Sequence, residues 1–422
     1  MFKKILIANR GEIAVRILRT CRDLGIETAA LYEAEDQGSL HVRLADQCFK
    51  LSSEAGYMDI EEILSIARES GAEAVHPGYG FLAERADFVR RCREQGLVFI
   101  GPPPEMLAGM QARLEQDRET PDQPVPPVYT VRVQVLADAQ GNLVHLGERR
   151  TSFLQGNQRV IEESPAPGIS RETRAALCER ALEIARSYGL QGAGSVEFQL
   201  DGRGQAFFSH FKPYLQAGHL VTELVSGVDL AAEGLRIASG EQLSLQQEET
   251  RLQGWSMQCR INAVDPWNDF LPSPGRLKHV RFPGGPGIRV DTHVYSGYEV
   301  PPLYSPILAK LAVHARDREE CLMRMRRALR EVNLSGVPTN LPLLQLIFED
   351  ADFSAGRYTD GRVIGQLLQG KTEPEAGEAE PGLRDLAIAA AILYLQRKER
   401  FRPVLPERLL SGWHLSRRRT GH

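Results

Sequence analysis

The sequence predicts an α/β domain followed by α+β architecture, and three observations carry that reading. Short apolar strands alternate with amphipathic helices through residue 108. Alternating hairpin strands with Gly-containing turns follow from residue 129, and strands mixed with Pro-Gly turns from about residue 249. Strand–helix alternation points to a parallel sheet, and hairpins point to an antiparallel one.

The elements justify this in order. KKILIA (3–8) is a short apolar strand, and the next segment sets Ile13, Ile17 and Leu18 on one helical face, with Gly25 as its stop. ETAALY (27–32) is a second strand, 57–71 a helix, AEAVHPGYGFL a strand running into a glycine loop, and LVFIG (97–101) another strand. VYTVRVQVLAD and LVHLGER form a hairpin about Gly141-Asn142, 171–190 is an amphipathic helix, and a second hairpin turns at Asp201-Gly202. A helix covers 317–332. The acidic, proline-flanked 371–381 reads as a linker, and an amphipathic helix and basic tail follow it.

Composition narrows the function classes. Hydrophobic content of 42% and a net charge of −4 carry no global signal for nucleic acid or an anionic membrane. Six scattered cysteines without a CxxC pair suit reduced thiols better than a disulfide frame or zinc site. MFKKILIAN is too short for a signal peptide and no 18-residue apolar run occurs, so the expected location is cytoplasmic. The histidines lack HxxxH or HExxH spacing, PGGPG (283–287) precedes no helix, and Met323 and Met325 read as packing residues. The RRR at 417–419 reads as a solvated end.

KKILIANRGEIAVRILR, HPGYGFLAE, FIGPPPEM, VTELVSGVDL, CRINAVDP and FLPSPGRL resemble the biotin carboxylase subunit or domain of biotin-dependent carboxylases. The resemblance covers about 1–110 and 129–370. Gly412, Trp413 and Leu415 are similar to a motif of acyl-CoA carboxylase α subunits, and no AMKM-type biotinyl-lysine segment is present. The chain is therefore not expected to be a biotin carrier itself.

The resemblance implies a Rossmann-like, pre-ATP-grasp N-terminal domain (1–108) and a linker (109–128) replacing the family's lid domain. It further implies an ATP-grasp core remnant (129–248), a biotin carboxylase C-terminal domain (249–370), an acidic linker (371–382) and a terminal helix and tail (383–422). The family's chemistry is that of an ATP-grasp ligase: ATP and bicarbonate give carboxyphosphate, whose CO₂ passes to N1′ of biotin. The family uses Mg²⁺ or Mn²⁺ in this reaction.

Several positions depart from that pattern. The interval 110–128 holds 19 residues, too few for a lid with its glycine-rich loop and ATP lysines. On the metal strand His210 and Lys212 replace a carboxylate and an asparagine, leaving Glu197 as the retained metal-ligand position. Tyr214 replaces the bicarbonate arginine, and Gly218 replaces the glutamate base. Leu154, Asn157 and Arg159 replace a glutamine, histidine and lysine of a phosphate-sensing loop. Gln216, Tyr79 and Arg260 are retained, Tyr79 and Arg260 as a remnant biotin pocket. Arg260 has two readings, ligand contact or pairing with a buried carboxylate.

These departures lead to the expectation of a catalytically inactive homologue needing no cofactor, a structural or regulatory subunit of an acyl-CoA carboxylase. Its expected partners are active biotin carboxylase or carboxyltransferase subunits, with no nucleic acid or membrane partner. Arg19, Asp23 and Arg289 are the expected interface, by resemblance to the surface through which the family pairs. The alternative is an active ATP-dependent biotin carboxylase.

Overall fold

In a computed structural model the described residues are 1–119, 129–155, 158–201 and 203–358, with Val363, Gly365, Leu367 and Leu368. The expected linker 371–382 and the helix and tail 383–422 lie outside them, as do residues 120–128, Asn157 and Gly202.

The first sheet is built from β1 (Lys4–Ile7), β2 (Glu27–Tyr32), β3 (Gln47–Lys50), β4 (Ala74–His76) and β5 (Val98–Phe99). All its pairings are parallel, in the order β3-β2-β1-β4-β5. Ile5, Leu6 and Ile7 are wholly buried, as a strand covered on both faces requires. Burying such side chains contributes about 1.5–3 kcal/mol each. The helix Gly11–Asp23 turns Ile13, Ile17 and Leu18 inward, and Gly25 follows it at φ 69°. That left-handed conformation is one a glycine adopts without a Cβ penalty.

The second sheet is antiparallel and has eight strands. These are β6 (Tyr129–Ala137), β7 (Leu143–Gln155), β8 (Gln158–Ser164), β9 (Gly192–Leu200), β10 (Ala206–Lys212), β11 (Trp255–Asn262), β12 (Ile288–Thr292) and β13 (Ile307–Ala315). Their order is β10-β9-β6-β7-β8-β11-β13-β12. Through the pairing of β8 with β11, one continuous sheet runs across residue 249. The helix Arg171–Ser187 covers one part of it with Leu177, Cys178, Ala181 and Ala185, its first turn capped by Ser170. The helix Arg318–Glu331, capped by Asp317, buries Cys321, Met325 and Leu329 over another part. Met325 packs as expected, whereas Met323 is 56% exposed because its helical position faces away from the sheet.

In the short interval after β5, Met110–Asp117 is a helix, and Glu119 then hydrogen-bonds the edge strand β10 at Phe208. All six cysteines are free thiols, and only Cys48 is exposed. Among the described residues no helix is long and apolar enough to cross a membrane.

Candidate active site

A cavity of about 560 Å³ opens between the glycine loop after β4 and the second sheet. The loop contributes Tyr79 and Glu84, and Gly78 turns it at φ 64°. A Cβ on Gly78 would press into the Asn9 amide, which binds the carbonyls of Pro77 and Tyr79 at 2.6 and 3.0 Å. Asn9 and Gly78 thus hold the loop against the end of β1.

The sheet brings three retained residues to this cavity: Tyr79 on the loop side, Gln216 and Arg260 on the sheet side. Arg260, on β11, donates from Nη2 to Glu162 Oε1 at 2.6 Å. Arg260 therefore pairs with a buried carboxylate, one of its two sequence readings, and it also lines the cavity. Among the described residues its Nε and the Tyr79 hydroxyl are buried without a hydrogen-bond partner. Gln216 Oε1 accepts from Ser195 Oγ at 2.8 Å and from Arg149 Nη2 at 3.3 Å.

Of the altered positions Lys212 and Tyr214 line this cavity, whereas His210, with the retained Glu197, lines a separate one of about 370 Å³. Arg132 on β6 faces Glu197 on β9, and its Nη2 and Nε lie 2.6 and 2.7 Å from Glu197 Oε2. His210 faces Glu197 from β10, and burial first, then Lys212, lowers its pKa. Lys212 Nζ lies 3.8 Å from Glu84, and the Tyr214 hydroxyl donates to Glu84. Burial and the Glu84 charge push the Tyr214 phenol above its ordinary pKa, so it remains a donor. At this strand the one retained carboxylate is engaged by a guanidinium. Among the described residues no group of three or more His, Cys, Asp or Glu is placed to hold a metal ion. A Mg²⁺ ion here would take substrate phosphates as ligands beside Glu197.

Leu154 and Arg159 are backbone partners in the β7–β8 register. Of the expected interface, Arg19 and Asp23 are exposed on the first helix. Arg289, partly exposed on β12, pairs within the chain, 2.6 Å from Glu223 and 3.0 Å from Asp291.

Sequence reasoning missed four site residues. Glu12 lines the cavity 2.9 Å from the wholly buried Lys310, and Glu84 and Arg132 line it too. The fourth, Glu162, lies behind Arg260. Glu162 and Arg149 are charged residues within alternating strands, a pattern that flags a buried ion pair.

The chain is similar to known proteins along most of its length. Residues 1–107 match "Biotin carboxylase, N-terminal domain", 126–246 match "Carbamoyl-phosphate synthase L chain, ATP binding domain", and 258–364 match "Biotin carboxylase C-terminal domain". Biotin carboxylase 1 of Bacillus subtilis (strain 168) is 37% identical over 85% of this chain and 97% of its own length. The biotin carboxylase of Pseudomonas aeruginosa is 38% identical over 84% of this chain and 96% of its own. The biotin carboxylase domain of Hydrogenobacter thermophilus 2-oxoglutarate carboxylase was solved with MgADP, ADP and bicarbonate. It superposes with a TM-score of 0.83 at 33% identity, covering 88% of this chain and 99% of that one.

Two expectations are corrected by these relatives. The expected inactive homologue gives way to an enzyme, since proteins 37% identical over most of the chain are biotin carboxylases, that is, ATP-dependent ligases. The expected lack of cofactors gives way to the family's ATP, Mg²⁺ and bicarbonate, as the MgADP and bicarbonate complex illustrates. The shared domains, the fold and the identity along the chain have one conclusion: this protein belongs to the biotin carboxylase family.

Proposed function

We propose that this chain is the biotin carboxylase component of a biotin-dependent acyl-CoA carboxylase, forming carboxybiotin from biotin, bicarbonate and ATP. The observation that carries the reading is the convergence of Tyr79, Gln216 and Arg260 on one cavity. A guanidinium there suits the ureido oxygen of biotin, whose negative charge grows as N1′ becomes nucleophilic. Tyr79 adds a hydroxyl on the opposite wall, and the glycine loop holds it there. ATP, when bound, supplies the phosphoryl group that activates bicarbonate.

Association with carboxyltransferase subunits is proposed through the face bearing Arg19 and Asp23, both exposed. What supports an acyl-CoA carboxylase is the similarity of Gly412, Trp413 and Leu415 to α subunits of that class.

The test is phosphate release from MgATP and bicarbonate, with and without free biotin. Lys212, Tyr214 and the short 110–128 interval make biotin dependence the discriminating quantity. Biotin-stimulated release that falls by about 100-fold in Arg260→Ala is expected. No biotin-dependent release from the full chain, alone or with its carboxyltransferase, overturns the reading.

A further inference from the structure

We propose that Glu162 fills the space left by the side chain missing at position 218, and from there positions Arg260 and Gln216 for the ligand. The proposal rests on the biotin reading above.

Gly218 sits at φ −85°, ψ 9°, a conformation open to any residue, so its backbone does not require glycine. Space does. A Cβ built at Gly218 would fall within the carboxylate of Glu162. The position where the family's side chain would begin is filled by a carboxylate from another strand.

Glu162 arrives there from β8, which lies between β7 and β11. Each of its oxygens is engaged: Oε1 by Arg260 Nη2 at 2.6 Å and Oε2 by Arg149 Nε at 3.2 Å. Arg149 in turn reaches Gln216 Oε1 at 3.3 Å. One buried carboxylate thus fixes the Arg260 fork directly and Gln216 through Arg149. Among the described residues, pairing at Nη2 leaves Arg260 Nε as the unpartnered donor. Burial opposes ionisation of Glu162, but Arg260 and Arg149 outweigh it and hold the carboxyl below its usual range. Glu162 does not itself line the cavity, so it is a positioning residue rather than a catalytic one.

The test is titration calorimetry of the full chain with free biotin, with melting temperature measured beside it. Glu162→Gln keeps the shape, removes the charge, and is expected to weaken biotin binding by about tenfold or more. Gly218→Ala should do the same by displacing the carboxylate, and the two changes should not add. The relocation variant Glu162→Ala/Gly218→Glu returns a carboxylate from the other side. It should recover affinity to within about threefold of wild type, a rescue that a purely structural role would not produce. Unchanged binding in Glu162→Gln, or a relocation variant no better than Glu162→Ala, overturns the proposal. A wild-type chain that does not bind biotin overturns the biotin reading instead. The placement of Glu162 is then decided by stability: Gly218→Ala should lower the melting temperature only when Glu162 is present, and an equal loss in Glu162→Ala rejects it.

Discussion

Arg149 Nε lies 3.2 Å from Glu162 Oε2, and neither side chain is exposed to solvent. Arg149 also donates to Gln134 at 2.9 Å and to Thr222 at 3.3 Å, tying β6, β7, β8 and the helix His219–Ser226 together. Glu162 keeps Arg260 as a second partner, so removing Arg149 leaves it less compensated and takes a buried donor from Gln134 and Thr222. Arg149→Met is therefore expected to cost about 1–3 kcal/mol in urea unfolding. A loss below about 1 kcal/mol would mean that Glu162 is neutralised without Arg149.

Acid should destabilise the protein below pH 6.5. Burial, the leading cause at each, lowers His41 to about 4 and His76 and His293 to about 3, and holds His219 well below its ordinary value. The folded pKa lies below the unfolded one, so the unfolded chain binds more protons in that interval. The stability is complete above pH 6.5 and falls progressively towards pH 3–4. Each group contributes a loss of about 2 kcal/mol by pH 5. Denaturant midpoints measured between pH 8 and pH 5 check this, and a flat profile rejects it.

Tyr214 donates to Glu84 and so links the end of β10 to the glycine loop. Tyr214→Phe should cost about 1–2 kcal/mol, since it keeps the ring and removes the donor. Lys212, 3.8 Å from Glu84, remains its nearest cation. Thermal unfolding of the single variant and of Tyr214→Phe/Glu84→Gln measures the coupling. Additive losses would reject the link.

Arg19 and Asp23 are exposed, so Arg19→Glu should change intrinsic stability by no more than about 0.5 kcal/mol. It should nevertheless weaken association with a carboxyltransferase partner, measured by sedimentation of the mixture. Unaltered association would place the interface elsewhere.

The fold was legible in the sequence because its signals are local. The apolar run of β1, the face of Ile13, Ile17 and Leu18, and the hairpin turn at Gly141-Asn142 each depend on neighbours within a few residues. The positions of Tyr79, Gln216 and Arg260 were legible through motifs, and the structure brings all three to one cavity. The helix expected over 317–332 is found at Arg318–Glu331, with Asp317 as its cap.

The partners of these residues could not be read, because each lies far along the chain. The sequence by itself determined that position 218 is glycine, and with it the lack of a side chain there. Only the tertiary structure decided what fills that space. Residue 162 is brought beside 218 by the pairing of β8 between β7 and β11 and by the helix that begins at His219. The same holds for Lys310 against Glu12 and for Arg132 against Glu197. A buried charge must be matched within a few ångströms, and sheet register, not local propensity, chooses the residue that matches it.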